Sequence, residues 1–210
     1  MSIKERPIIM TGESVRAILK GRKTQTRRVV NIFGLDFVGA GGKKGGDWND
    51  PTCWGFETFE ADWFLLKTTP GDGAYELPCK YGGPGDRLWV RETWAKSDEL
   101  EIHEHAKEGY TYRADWDNWD DMEQRDFKWK SPIHMPRWAS RLTLEITDVR
   151  VQRLQDISEE DAAAEGVIEL RSTTCSARDD YRAMWDAING KKHPWESNPW
   201  IWALTFKVAT

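Results

Sequence analysis

Apolar spacing divides the chain into a small set of elements. After Pro7 the run Ile8, Ile9 and Met10 leads to Thr11, a residue suited to cap a helix, and Val15, Ile18 and Leu19 then recur at helical spacing until Gly21. A strand is predicted from Thr24 to Val30, with a basic outer row. The turn Gly82-Gly83-Pro84-Gly85-Asp86 delivers the chain into Arg87 to Trp94, where Leu88 and Val90 alternate with Trp89 and Arg91 as in a strand. Arg141 to Thr147 alternates in the same way and continues through Val149 and Val151 after a bulge near Asp148. Ser158 opens a helix propagated by Ala162, Ala163 and Ala164 and stopped by Gly166. A further helix beginning near Ser176 sets Tyr181, Met184, Trp185 and Ile188 along one face. The closing strand, Trp200 to Val208, puts Trp200, Trp202, Leu204, Phe206 and Val208 on one side.

Two stretches interrupt this plan. Residues 31–80 are rich in Gly, Asp and Asn and read as a loop-rich insertion with short strands near Trp54 to Phe59 and Trp63 to Lys67. Residues 95–130 form a second insertion, with a strand at Tyr110 to Arg113 and an acidic stretch, Asp115 to Asp126, that reads as solvated. The expectation is one α+β domain over residues 1–210. Its strands at 87–94, 141–151 and 200–208 share a curved sheet or barrel, and the helix at 12–20 lies beside it.

Composition narrows the function. A formal charge of -5, from 30 basic and 35 acidic residues, does not suit a protein that coats nucleic acid, so any contact with a polyanion is local. No apolar run is long enough to cross a bilayer, the N-terminus lacks an apolar signal region, and Cys53, Cys79 and Cys175 form no C-x-x-C pair. A cytoplasmic protein without membrane association is expected. Thirteen tryptophans are unusual, and each can serve as core filler, interface anchor or stacking platform for a base.

Candidate chemistry is scarce outside one segment. His103 and His105 sit in an acidic stretch, and His134 and His193 are far from any cysteine pair, so no metal is expected. The chain has no phosphate-binding G-x-x-x-x-G-K-[ST] loop and no G-x-S-x-G elbow, and no cofactor is expected. By contrast Lys20-Gly21-Arg22-Lys23-Thr24-Gln25-Thr26-Arg27-Arg28 packs five basic residues and two hydroxyls into nine positions after a helix. It reads either as a phosphate-attracting edge or as the home of a desolvated lysine able to take a proton from a hydroxyl.

Several motifs carry a family resemblance. Gly21-Arg22-Lys23-Thr24-Gln25-Thr26 follows a short helix, Pro84-Gly85-Asp86-Arg87-Leu88-Trp89-Val90 precedes a strand, a short helix ends in Glu165, and the last strand is aromatic. In this the chain resembles the ASCH domain, a PUA-like β-barrel, over about 6–30, 81–94 and 132–208. The larger ASCH proteins of phages and prophages share the run Pro84 to Trp94, the stretch Ile133 to Arg141, and Asn198-Pro199-Trp200. A more distant similarity is to small bacterial ASCH amidohydrolases that remove the acetyl group of N4-acetylcytidine. That resemblance implies Lys23, Thr26 and Glu165 as catalytic residues, with Glu159, Glu160 or Asp161 as alternatives to Glu165. The two insertions have no counterpart in those small enzymes.

An amide needs a nucleophile, a base and a proton donor for the leaving amine, and Thr26, Lys23 and Glu165 fit those roles in that order. Arg22 or Arg27 can offset an oxyanion. Lys23 must then lie in the turn, since positions three apart do not share a face of a regular strand. Lys20, Arg22, Arg27, Arg28, Trp89 and Arg91 are candidates for contact with substrate or nucleic acid, RNA in preference to DNA. Three functions remain open: hydrolysis of an N4-acylated cytosine base or nucleoside, binding of RNA or a modified base without turnover, and nuclease action in the same basic cleft. Catalysis requires the three side chains to converge on one pocket with at least one tryptophan in its wall.

Overall fold

The computed structural model describes residues 3–30, 79–97, 107–116, 127–167 and 176–209, and the backbone of 55–57, 63–66 and 74–76. In chain order these comprise β1 (Glu5–Ile9), α1 (Gly12–Leu19), β2 (Gln25–Val29), β3 (Gly55–Glu57), β4 (Trp63–Leu66), β5 (Ala74–Glu76), β6 (Arg87–Arg91), β7 (Trp94–Lys96) and β8 (Tyr110–Tyr112). They continue as β9 (Thr143–Arg153), α2 (Glu159–Ala164), α3 (Ala177–Asn189) and β10 (Trp200–Val208). The fold is mixed α+β. Five strands form one sheet in the order β1-β6-β9-β10-β2, with only β1 and β6 parallel. β3, β4 and β5 pair antiparallel in a sheet of their own, as do β7 and β8.

The three strands expected to share a sheet do so, with β9 at its centre. The expected bulge is present: β9 and β10 pair in register until Thr205 faces Asp148, after which Phe206 faces Ile146 and Thr147 is left over. The extra residue raises local twist, and the sheet curls strongly. In a flat sheet β1 and β2 would lie four strand spacings apart, roughly 19 Å. Yet Arg28 Nη2 on β2 donates to the carbonyl of Ile9 on β1 at 2.6 Å. The edges thus approach within one side chain's reach, but no backbone pairing closes them among the described residues.

β10 departs from the expectation of a single buried side. Trp202, Leu204 and Phe206 pack with Ile8, Leu88, Val90, Leu144 and Ile146 in the larger core, while Ile201 and Ala203 are buried on the opposite face with Leu154, Ala162, Tyr181 and Trp185. Alternation along one strand could not reveal that helices cover the other face. α2 and α3 supply that cover. Ser158 and Ser176 cap them by accepting from the backbone N–H of Asp161 and Asp179, and Asp179 completes a capping box.

The predicted strand 87–94 stops at Arg91, and Trp94 opens β7 in another sheet. The reason lies in Glu92. Its carboxylate takes a bidentate contact from Arg141, Nε to Oε1 at 2.9 Å and Nη2 to Oε2 at 3.0 Å, while Arg141 Nη1 reaches Asp115 at 2.8 Å. The Arg141 guanidinium also lies 4.0 Å from the centre of the Tyr112 ring. Asp115, expected in a solvated stretch, is therefore buried; 117–126 fall outside the described residues. The stretch Ile133 to Arg141 makes two single 3₁₀ turns that seat Met135 and Ala139 against Trp94 and Tyr112. Among the described residues no helix is long and apolar enough to cross a membrane.

This cluster predicts a large, pH-dependent loss on substitution. Burial pushes the Glu92 carboxyl up, opposed by Arg141. Arg141→Met leaves two buried carboxylates uncompensated and is expected to lower stability by about 3–5 kcal/mol in urea unfolding at neutral pH. The deficit should shrink on acidification, because a carboxyl with a raised folded pKa is protonated first in the folded state.

Candidate active site

The connection from α1 to β2 is built by backbone contacts. Gly21 adopts φ +70°, and the Ala17 carbonyl accepts from the N–H groups of both Arg22 and Lys23, at 2.8 and 3.1 Å. Thr24 N–H donates to the Ala164 carbonyl at 2.8 Å, which ties this turn to the C-terminal end of α2. Lys23 therefore lies in the turn before β2, where its amine is freed from strand alternation. Glu165 caps α2 and faces it.

Four charged groups meet between these elements. Lys23 Nζ donates to Glu165 Oε2 at 2.5 Å and to the Glu165 carbonyl at 2.8 Å. Arg27 Nη1 reaches Glu165 Oε1 at 3.1 Å and its Nη2 reaches Asp161 Oδ2 at 2.8 Å. Asp161 also accepts from Gln25 at 2.9 Å and from Arg150 at 3.1 Å. Lys23, Thr26, Arg27 and Glu165 are each only 4% exposed. Burial holds the Lys23 ammonium below the usual lysine range, and the adjacent Glu165 carboxylate partly offsets this. Burial likewise pushes the Tyr181 hydroxyl up, and the Tyr181 ring lies 5.7 Å from the Arg27 guanidinium carbon.

Lys23, Thr26 and Glu165 line one cavity of about 360 Å³. Its walls include Ile9, Met10 and Thr11 from the end of β1, Thr26, Arg27 and Arg28 from β2, and Tyr181, Met184, Trp185 and Ile188 from α3. It thus occupies the seam where the sheet's two edges approach without pairing. The α3 face foreseen from periodicity is both core and cavity wall, and Trp185 meets the requirement for a tryptophan.

The remaining candidates are dispersed. Lys20 and Arg22 are exposed and line no described cavity. Arg27 reaches the wall but is committed to Glu165 and Asp161. Trp89 lies outside both cavities, with the Arg91 guanidinium 5.3 Å from its ring centre. Arg91 lines a second cavity instead. Asp161, offered only as a substitute for Glu165, pairs with Arg27 while Glu165 takes Lys23. Lys80, also at the second cavity, was not anticipated, since no motif surrounds it. His103 and His105 fall outside the described residues, among which no group of three or more His, Cys, Asp or Glu is placed to hold a metal.

Gly166 predicts how tightly the site is set. It has φ +80°, and an added Cβ would lie 2.8 Å from Lys23 Cβ and 2.9 Å from Ala17 Cβ. Gly166→Ala is expected to lower stability by about 1–3 kcal/mol in urea unfolding. Gly83→Ala, whose added Cβ meets nothing within 4 Å, should leave stability nearly unchanged.

Comparison with known proteins returned no matching family model, no matching curated protein and no matching solved structure.

Proposed function

We propose that this chain is an amidohydrolase acting on an N4-acylated cytosine base or nucleoside, built on an ASCH-type, PUA-like sheet. One observation carries the reading: Lys23, Thr26 and Glu165 line a single cavity with Trp185, and Lys23 is buried against Glu165. The apolar wall suits the face of a base, and the polar corner suits its acylated amine.

The chemistry follows from the contacts. Neutral Lys23 takes the proton of the Thr26 hydroxyl as its oxygen bonds to the acyl carbon. The proton passes over the 2.5 Å contact to Glu165 and on to the exocyclic nitrogen as the carbon–nitrogen bond breaks. Water, deprotonated by the same pair, then cleaves the acyl-threonine ester, releasing a carboxylic acid and restoring Thr26. Of the cations considered for the oxyanion, Arg22 is outside the cavity and Arg27 is engaged by carboxylates. Arg28 is on the wall, with contacts given only for its Nη2.

A second reading, recognition of RNA or a modified base without turnover, is favoured by the closure of the charge network: both Glu165 oxygens are already engaged.

Release of free acid from N4-acetylcytidine, followed by mass spectrometry, separates the two. Hydrolysis predicts that Lys23→Ala and Thr26→Ala each reduce turnover by about 10²–10⁴. Absence of release by the wild-type chain selects the binding reading. The base must be neutral, so kcat/KM should rise with pH through a Lys23 value below the ordinary 10.5 and be lost at lower pH, as read from the pH–rate profile.

A further inference from the structure

A second cavity, of about 470 Å³, adjoins the first, and the two share Ile9 and Arg28. Four cations line it, Arg6, Arg28, Lys80 and Arg91, together with the Tyr81 ring and no carboxylate. Arg6 is neutralised by Asp86 at 2.9 Å. Arg28 and Arg91 spend donors on backbone carbonyls, of Ile9 and Ile133 respectively, which leaves their charge uncompensated. Lys80 is exposed, with its ammonium 5.0 Å from the centre of the Tyr81 ring. None of these three has a carboxylate partner among the described residues.

The two cavities thus differ in kind. In the first, Lys23 and Arg27 are balanced by Glu165 and Asp161, and an apolar helix face forms one wall. Its volume is near the lower end for small-molecule sites, room for a base and its sugar. In the second, like charges converge without a counter-ion in a protein of net negative charge, an arrangement that an anion stabilises. Arg28 stands at the junction, where the sugar of a bound nucleoside would give way to its phosphate.

We propose that the second cavity is a phosphate subsite, and that the substrate of the first is a phosphate-bearing cytidine, either a mononucleotide or a residue of a strand. This rests on the hydrolytic reading for the chemistry, but not for the subsite. Phosphate is held by Arg28, Arg91 and Lys80 while the base lies against α3. Arg28 also ties β2 to β1, so Lys80 and Arg91 are the positions to vary.

The experiment compares N4-acetylcytidine, its 5′-monophosphate and a short oligoribonucleotide containing it. A phosphate-bearing substrate is expected to exceed the free nucleoside in kcat/KM by about tenfold or more. The ratio should fall toward one in Lys80→Gln and Arg91→Gln, and in high salt. Preference for the monophosphate identifies a terminal phosphate, and preference for the oligomer alone identifies a strand. Equal rates for all three, or a preference unchanged in both variants, overturn the proposal. Calorimetry with cytidine, cytidine 5′-monophosphate and a cytidine trinucleotide decides the case in which no acyl group is released. Tighter, Lys80- and Arg91-dependent binding of the phosphate-bearing ligands then keeps the subsite and rejects turnover, whereas equal binding rejects the subsite.

Discussion

The site depends on one buried carboxylate. Glu165 sits at the end of a six-residue helix, sheltered from water, with Lys23 on one oxygen and Arg27 on the other. A carboxylate in that position is tolerable only when its charge is met, and a lysine in that position only when something holds its ammonium. Each group thus makes the other possible. The backbone reinforces the arrangement: the Ala164 carbonyl accepts from Thr24, the Glu165 carbonyl accepts from Lys23, and Gly166 packs without a side chain against Lys23. The turn after α1 and the end of α2, more than 130 residues apart in sequence, are locked as one unit.

The cavity beside this unit follows from the sheet. Its curl brings β1 and β2 together, but at this seam a guanidinium rather than a ladder of backbone bonds spans the gap. Unpaired strand edges normally need cover, and α3 supplies it with an apolar face. The result is a recess walled by two edges and a helix, with the charged unit at its base. The same seam continues into the second cavity, where the cover is absent and cations gather instead.

The motifs with the most recognisable spelling do a different job. Glu92 and Arg141 meet in one buried contact, Asp86 accepts from Lys4, Arg6 and Gly83, and Asn198 accepts from the Gln155 N–H with φ +40°. These pairings hold the frame rather than face the cavity. Such groups tolerate few replacements because a buried charge or a turn geometry leaves few alternatives.

Local chemistry was enough to read much of this chain. Thr11, Ser158 and Ser176 announced helix starts, Gly21 and Gly166 announced stops, and the alternation of Leu88 and Val90, and of Leu142 to Ile146, announced strands, because caps, turns and pleats act over a few residues. Lys23, Thr26 and Glu165 could be singled out as chemical types at suggestive places. Their convergence could not, nor could the burial of both faces of β10, the recruitment of Asp115 into an ion pair with Arg141, or the end of β6 at Arg91. The short β5 and the role of Lys80 were equally silent. All of these depend on which distant segment arrives opposite a given side chain. That is settled by sheet order, by one bulge and by the neutralisation of buried charge, none of which is a property of neighbouring residues alone.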